Sequence, residues 1–145
     1  MNIIYGVQGT GNGHISRARE VIKELKKRNH NVLTVFSGRE KDFWEIDDFE
    51  PYLIFKGFTF KTKNGKIQHI PTIINLRPFQ FQNDINYLVE SIKDCDLVIS
   101  DFEPITSRFA KRRKIFSINL SHQSSFYYEG VPIDGREFLG KWVVR

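Results

Sequence analysis

Four glycines in eight residues, Gly6, Gly9, Gly11 and Gly13, run straight into a histidine, His14. A tight turn between a strand and a helix needs one or two glycines, not four. Their further use is to let backbone amides approach a ligand closely, at a helix start whose dipole favours negative charge. Gly9, Thr10, Gly11, Asn12 and Gly13 are therefore candidates for substrate contact. The imidazole that follows, read as the exposed tip of this glycine loop, can accept a proton from a hydroxyl near neutral pH. Two carboxylates could work beside it. Asp101 ends the apolar run Leu97, Val98, Ile99 and Ser100, and Glu103 lies two residues further on. Each has a structural alternative: His14 can bind backbone as a helix cap, and Asp101 can cap the helix opened by Pro104.

These residues need elements to bring them together. Residues 3–7, 32–36, 52–55, 96–100 and 115–119 are short apolar runs, the pattern of strands buried on both faces. Between the first two, Ile15, Ala18, Val21, Ile22 and Leu25 recur at helix-face spacing, with Lys26, Lys27 and Arg28 in the last turn and Asn29-His30-Asn31 as the stop. Strand, helix, strand in about 35 residues is a βαβ unit with a right-handed crossover. Residues 39–46 read as a short helix. Asn64-Gly65 marks a hairpin between residues 58–61 and 66–70. Residues 72–92 read as a long helical segment interrupted or kinked at Pro78, residues 104–113 as a helix with proline in its first turn, and residues 135–145 carry helical apolar spacing. The sum is one α/β domain over residues 1–145, a Rossmann-like parallel sheet flanked by helices, plus a small β-hairpin. In such a sheet Asp101 falls at the C-terminal edge of the strands, where ligand sites gather, on the same edge as the glycine turn. The polar cluster Ser121, His122 and Gln123 follows the last strand and belongs there too.

Several chemistries are disfavoured. A dinucleotide fingerprint from Gly9 or Gly11 would need its third glycine at His14 or Ser16. The phosphate-binding loop ending in Gly-Lys-Ser/Thr is absent, as is the Gly-x-Ser-x-Gly turn of serine hydrolases. Asp94-Cys95-Asp96 has the form that holds a metal-bound diphosphate, but it precedes its strand and so falls at the opposite edge. No metal site is expected. Cys95 is the one cysteine of the 145 residues, so no internal disulfide forms, which fits a reducing compartment. Neither a secretion signal nor a membrane span is legible, and a cytoplasmic location follows. The net charge of +5 suits an anionic partner. Lys111-Arg112-Arg113-Lys114 carries the densest part of it, without interleaved aromatics for stacking bases, so nucleic acid is not expected. Phe79, Phe81 and Tyr87 are either core or the lining of a groove.

Gly9-Thr10-Gly11-Asn12-Gly13-His14-Ile15, followed by Ser16-Arg17-Ala18, resembles the glycine-rich opening of GT-B glycosyltransferases, MurG-like enzymes and their uncharacterised bacterial and archaeal relatives. Ile99-Ser100-Asp101-Phe102-Glu103-Pro104, and Ser117-Ile118-Asn119 leading to His122-Gln123, are similar to segments after the fourth and fifth strands of that family. The resemblance runs in order through nearly the whole chain. It implies the N-terminal, acceptor-side half of a GT-B fold, with the donor-binding second domain absent from these 145 residues. It implies transfer of a sugar from a nucleotide-sugar donor to a glycan or lipid-linked acceptor, His14 as general base, Asp101 as its orienting carboxylate, and no cofactor or metal. Glu103, Ser121, His122 and Gln123 would contact the acceptor. It implies a donor-binding domain or subunit as partner, an inactive isolated half, and weak contact with an inner membrane face. A non-catalytic acceptor-binding subunit of a split enzyme and a nucleotide-binding regulator remain the alternatives.

Overall fold

The computed structural model describes residues 1–10, 12–38, 46–57, 62–63, 66–67 and 78–120. The apolar runs become strands: β1 (Asn2–Gln8), β2 (Asn31–Ser37) and β3 (Tyr52–Phe55), then β6 (Leu97–Asp101) and β7 (Ser117–Asn119). The short β4 (Thr62–Lys63) and β5 (Lys66–Ile67) pair antiparallel around positions 64 and 65, where the hairpin is expected. The five longer strands form one parallel sheet in the order β3-β2-β1-β6-β7.

Side chains alternate across a strand, so β1 feeds two cores. Ile3, Tyr5 and Val7 pack with Ala18 and Ile22 of α1 (Asn12–Lys27). Ile4 lies on the other face with Ile85 and Leu88 of α2 (Pro78–Ser91), and with Ile105, Phe109 and Ala110 of α3 (Pro104–Arg113). Burying a side chain such as Ile22 contributes about 1.5–3 kcal/mol, and the two faces together fix α1 on one side and α2 with α3 on the other. Gly6 is the position where a side chain cannot be added: a Cβ there would collide with the Thr106 hydroxyl and crowd Glu103. Its absence lets the first turn of α3 lie against β1.

The helix ends follow local chemistry. α1 stops where Asn29 turns left-handed, at φ 62°, with the His30 N–H donating to the Leu25 carbonyl at 3.2 Å, one of the standard C-terminal closures. The described part of this segment, α2, starts at Pro78, a position that tolerates the missing N–H. Residues 72–77 of the expected longer helix, 39–45 of the expected short one and 135–145 lie outside the described residues; Asp47–Phe49 forms a single 3₁₀ turn.

The strand order positions the site. The chain moves from β1 outward through β2 and β3, then returns to the opposite side of β1 with β6. The connections leaving β1 and β6 therefore diverge to opposite faces at their C-terminal ends, the kind of switch point where ligands bind in such sheets. Val7 and Asp101 are in register across it.

Candidate active site

At the end of β1 the Gly9 N–H donates to the Ser37 carbonyl at 2.7 Å. That amide belongs to the sheet, and Gly9 is buried. Thr10 is exposed, and α1 begins at Asn12. His14 is therefore in the first turn of a helix, not on the tip of a glycine loop as its sequence context suggests. Gly13 beside it is open: a Cβ added there would meet no heavy atom within 4 Å. Asn12 is exposed and its carbonyl accepts from the Ser16 hydroxyl at 3.1 Å. Gly11, Ser121, His122 and Gln123 lie outside the described residues.

The structure brings His14 and Asp101 together. Nδ1 of His14 lies 2.7 Å from Oδ1 of Asp101. The Asp101 side chain is fully buried and that of His14 is 15% exposed. An ionised carboxylate only accepts, so this contact places a hydrogen on Nδ1; in the neutral ring the lone pair is then on Nε2.

A third member was not singled out from the sequence. Arg17 sits three residues after His14, hence on the same face of α1. Its Nε donates to Asp101 Oδ2 at 2.8 Å and its Nη2 to Oδ1 at 2.6 Å, a two-point clamp of the kind guanidinium and carboxylate planes favour. The hydrogen bond to Asp101 pushes the Arg17 guanidinium up from its ordinary value, against a smaller opposing effect of burial. Nη2 also lies 3.2 Å from His14 Nδ1. Spacing alone could have found Arg17, since a helix carrying His14 puts residue 17 beside it. Tyr5 of β1 belongs to the same neighbourhood. Its hydroxyl is buried and has no hydrogen-bond partner among the described residues. Burial first, and then the charge of Asp101, push that phenol well above its usual range, with Arg17 opposing.

The turn after β6 aims the carboxylates in different directions. Phe102 has φ 56°, the left-handed region that costs a bulky residue roughly 1–2 kcal/mol. Its ring stacks beside the His14 ring, 6.4 Å between centroids and 18° between planes. The turn is closed from inside: the Ser100 hydroxyl donates to the Glu103 carbonyl at 2.8 Å and accepts from the Glu103 N–H at 3.2 Å. Glu103, offered above as a ligand contact, is turned into the protein. Its carboxylate accepts from the Ile105 and Thr106 N–H groups at 3.0 and 2.6 Å, capping α3. The cap of that helix is thus Glu103, not Asp101. Burial pushes the Glu103 carboxyl upward, while the Thr106, Ser37 and Ile105 hydrogen bonds oppose it.

The opposite edge of the sheet carries different features. Asp96 accepts from the Asn2 N–H at 2.7 Å, so the Asp94-Cys95-Asp96 turn serves the start of β1. A groove of about 530 Å³ there, lined in part by Asn2, Lys26, His30 and Asp94, lies far from the His14 pair. In the basic run, Arg112 donates to Asn86 at 2.7 Å and Arg113 to the Lys93 carbonyl at 2.9 Å, tying α3 to α2. Phe81 is half-buried in the core, while Phe79 and Tyr87 are exposed. Among the described residues no three His, Cys, Asp or Glu side chains gather as a metal site, and no helix is long and apolar enough to cross a membrane.

The family model for glycosyl transferase family 1 matches residues 1–133. The chain is 32% identical over 105 residues to a UDP-N-acetylglucosamine–N-acetylmuramyl-(pentapeptide) pyrophosphoryl-undecaprenol N-acetylglucosamine transferase of Finegoldia magna, covering 72% of this chain and 25% of that one. It thus spans about a quarter of that relative's length. Among solved structures, MurG of Acinetobacter baumannii superposes with a TM-score of 0.52 at 15% identity, over 99% of this chain and 39% of that one. A C-terminal domain of a Pyrococcus furiosus hydrogenase superposes with a TM-score of 0.54 at 14% identity, over 81% of this chain and 89% of that domain. At such identities the two superpositions speak to fold alone, and the same sheet serves unlike chemistry.

Proposed function

Because the chain belongs to glycosyl transferase family 1, we propose that it is the acceptor-side half of a nucleotide-sugar-dependent glycosyltransferase, acting on a glycan or lipid-linked hydroxyl. The observation that carries this reading is the 2.7 Å contact between His14 and a fully buried Asp101, placed at the sheet's switch point. His14 Nε2 takes the proton of the acceptor hydroxyl while its oxygen bonds to the anomeric carbon. The bond from that carbon to the nucleotide diphosphate breaks, and the leaving group departs with the electron pair. Asp101 keeps the ring in the required tautomer and faces the imidazolium that forms. The first turn of α1, with Gly13 open beside it, gives the departing phosphates a helix N-terminus to approach. The remaining charge stabilisation comes from the donor-binding half, without an assigned metal. The relative's printed name makes UDP-N-acetylglucosamine the first donor to assay.

The test is sugar transfer by this chain combined with a donor-binding domain. His14→Ala lowers turnover by roughly 10²–10⁴-fold; near-normal turnover in that variant removes the base from the mechanism. The chain alone is expected to be inactive. A second reading, an acceptor-binding subunit that docks on a separate donor-binding chain, is favoured by Phe116 and Ile118, exposed on the β7 side of the sheet among the described residues. Lys111, Arg112 and Lys114 at the end of α3 are exposed, and a contact with an anionic cytoplasmic membrane face belongs to the same proposal.

A further inference from the structure

We propose that Arg17 is a positioning residue of this site: it, and not His14, supplies the positive charge that neutralises the buried Asp101, so the carboxylate orients the imidazole without charging it. This deepens the reading of His14 as the base and rests on it.

Asp101 is fully buried, and a buried carboxylate needs a cationic or strongly donating partner. Arg17 meets both of its oxygens, at 2.8 and 2.6 Å. His14 shares only Oδ1, already taken by Arg17 Nη2. Among the described residues, the ionisable groups in hydrogen-bond distance of the imidazole are Arg17 from its own helix and Asp101 from β6, while the phenol of Tyr5 from β1 interacts with both of these. One negative charge therefore faces two groups that can be positive. A proton added to His14 creates a second cation 3.2 Å from the guanidinium, with no second anion among those groups to match it. The imidazole is thus suited to take a proton during transfer and to release it afterwards. Without Arg17, the imidazolium would become the partner of Asp101 and would hold its proton.

The experiment is an NMR titration of the His14 ring in this 145-residue chain. Arg17→Gln keeps a hydrogen-bond donor and removes the charge, and is expected to raise the His14 midpoint by roughly one unit, a tenfold gain in proton affinity. Arg17→Lys restores the charge without the fork, and is expected to bring the midpoint back toward wild type. Asp101→Asn leaves two potential cations without their anion and is expected to lower it, an independent check should Arg17→Gln fail to fold. An unchanged or lowered midpoint in Arg17→Gln, a Lys variant that titrates like Gln, or an unmoved midpoint in Asp101→Asn overturns the assignment. The pH profile of transfer separates this from the functional reading. A raised midpoint with an unshifted profile leaves the charge arrangement standing and removes His14 as the base.

Discussion

Asp101 and Glu103 are both buried acids, two residues apart on one turn, and they do different things. Asp101 faces α1 and meets side chains, His14 and Arg17. Glu103 faces α3 and meets the backbone N–H groups of Ile105 and Thr106, with the hydroxyls of Ser37 and Thr106 beside them. The residue between them decides this, because the left-handed Phe102 reverses the chain and sends the two carboxylates to opposite sides of the sheet. A carboxylate held by backbone amides cannot change partners without undoing a helix turn. One held by an imidazole and a guanidinium can gain or lose a proton's worth of charge beside it while the fold stays put. Burial alone therefore does not mark a candidate for acid–base chemistry; the mobility of its partners' protons does.

The comparison breaks most visibly at Asp101. Asp101→Ala leaves His14 and Arg17, the latter 39% exposed, without their common anion, and losing the charge-assisted hydrogen bonds of such a partly exposed pair costs about 1.5–3 kcal/mol. Urea denaturation should show a loss of that order. His14→Ala, which leaves the Arg17 clamp in place, should show a much smaller one. Equal losses would mean the imidazole is as structural as the guanidinium.

Glu103 sharpens the contrast through pH. Its carboxyl is raised by burial, so the folded state binds its proton more tightly than the unfolded state does. Its contribution to stability is then full below the ordinary carboxylate range and is lost as pH rises through the raised folded value. Glu103→Gln cannot ionise and lacks that loss. The variant is expected to fall furthest below wild type near pH 4, with the gap narrowing as pH rises, read from denaturation midpoints across pH. A gap that widens with pH would show the ionised form to be the better cap.

Much of this arrangement is legible in the residues. The strands follow from apolar runs, because a strand covered on both faces has little room for polar side chains, and Pro104 marks the start of α3. The meeting of His14 with Asp101 follows once both are assigned to the same edge. What was not legible depends on single dihedral angles and on long side chains. Nothing in Asp101-Phe102-Glu103 says that phenylalanine will adopt φ 56°, so which acid caps α3 could not be told. Gly11 and Gly13 read as loop, which hid that α1 already begins at Asn12. That one error moved His14 off the helix and concealed Arg17, its neighbour one turn on.

Gly13 offers the smallest effect on the fold and a pointed one on function. Gly6 is glycine because α3 presses on it; no such neighbour approaches Gly13, and its backbone is helical. Packing therefore gives no reason for glycine, and replacing it by alanine in a helix should stabilise by roughly 0.5–1 kcal/mol. If the first turn of α1 is where the donor's phosphates approach, the added methyl group stands in their way. Gly13→Ala should then raise the thermal midpoint by a few degrees while weakening transfer in the assembled enzyme, chiefly through a higher KM for the nucleotide sugar. A variant that is stabilised and keeps its KM would move the donor away from this turn. Asp101 would then be the side of the comparison tied to the acceptor alone.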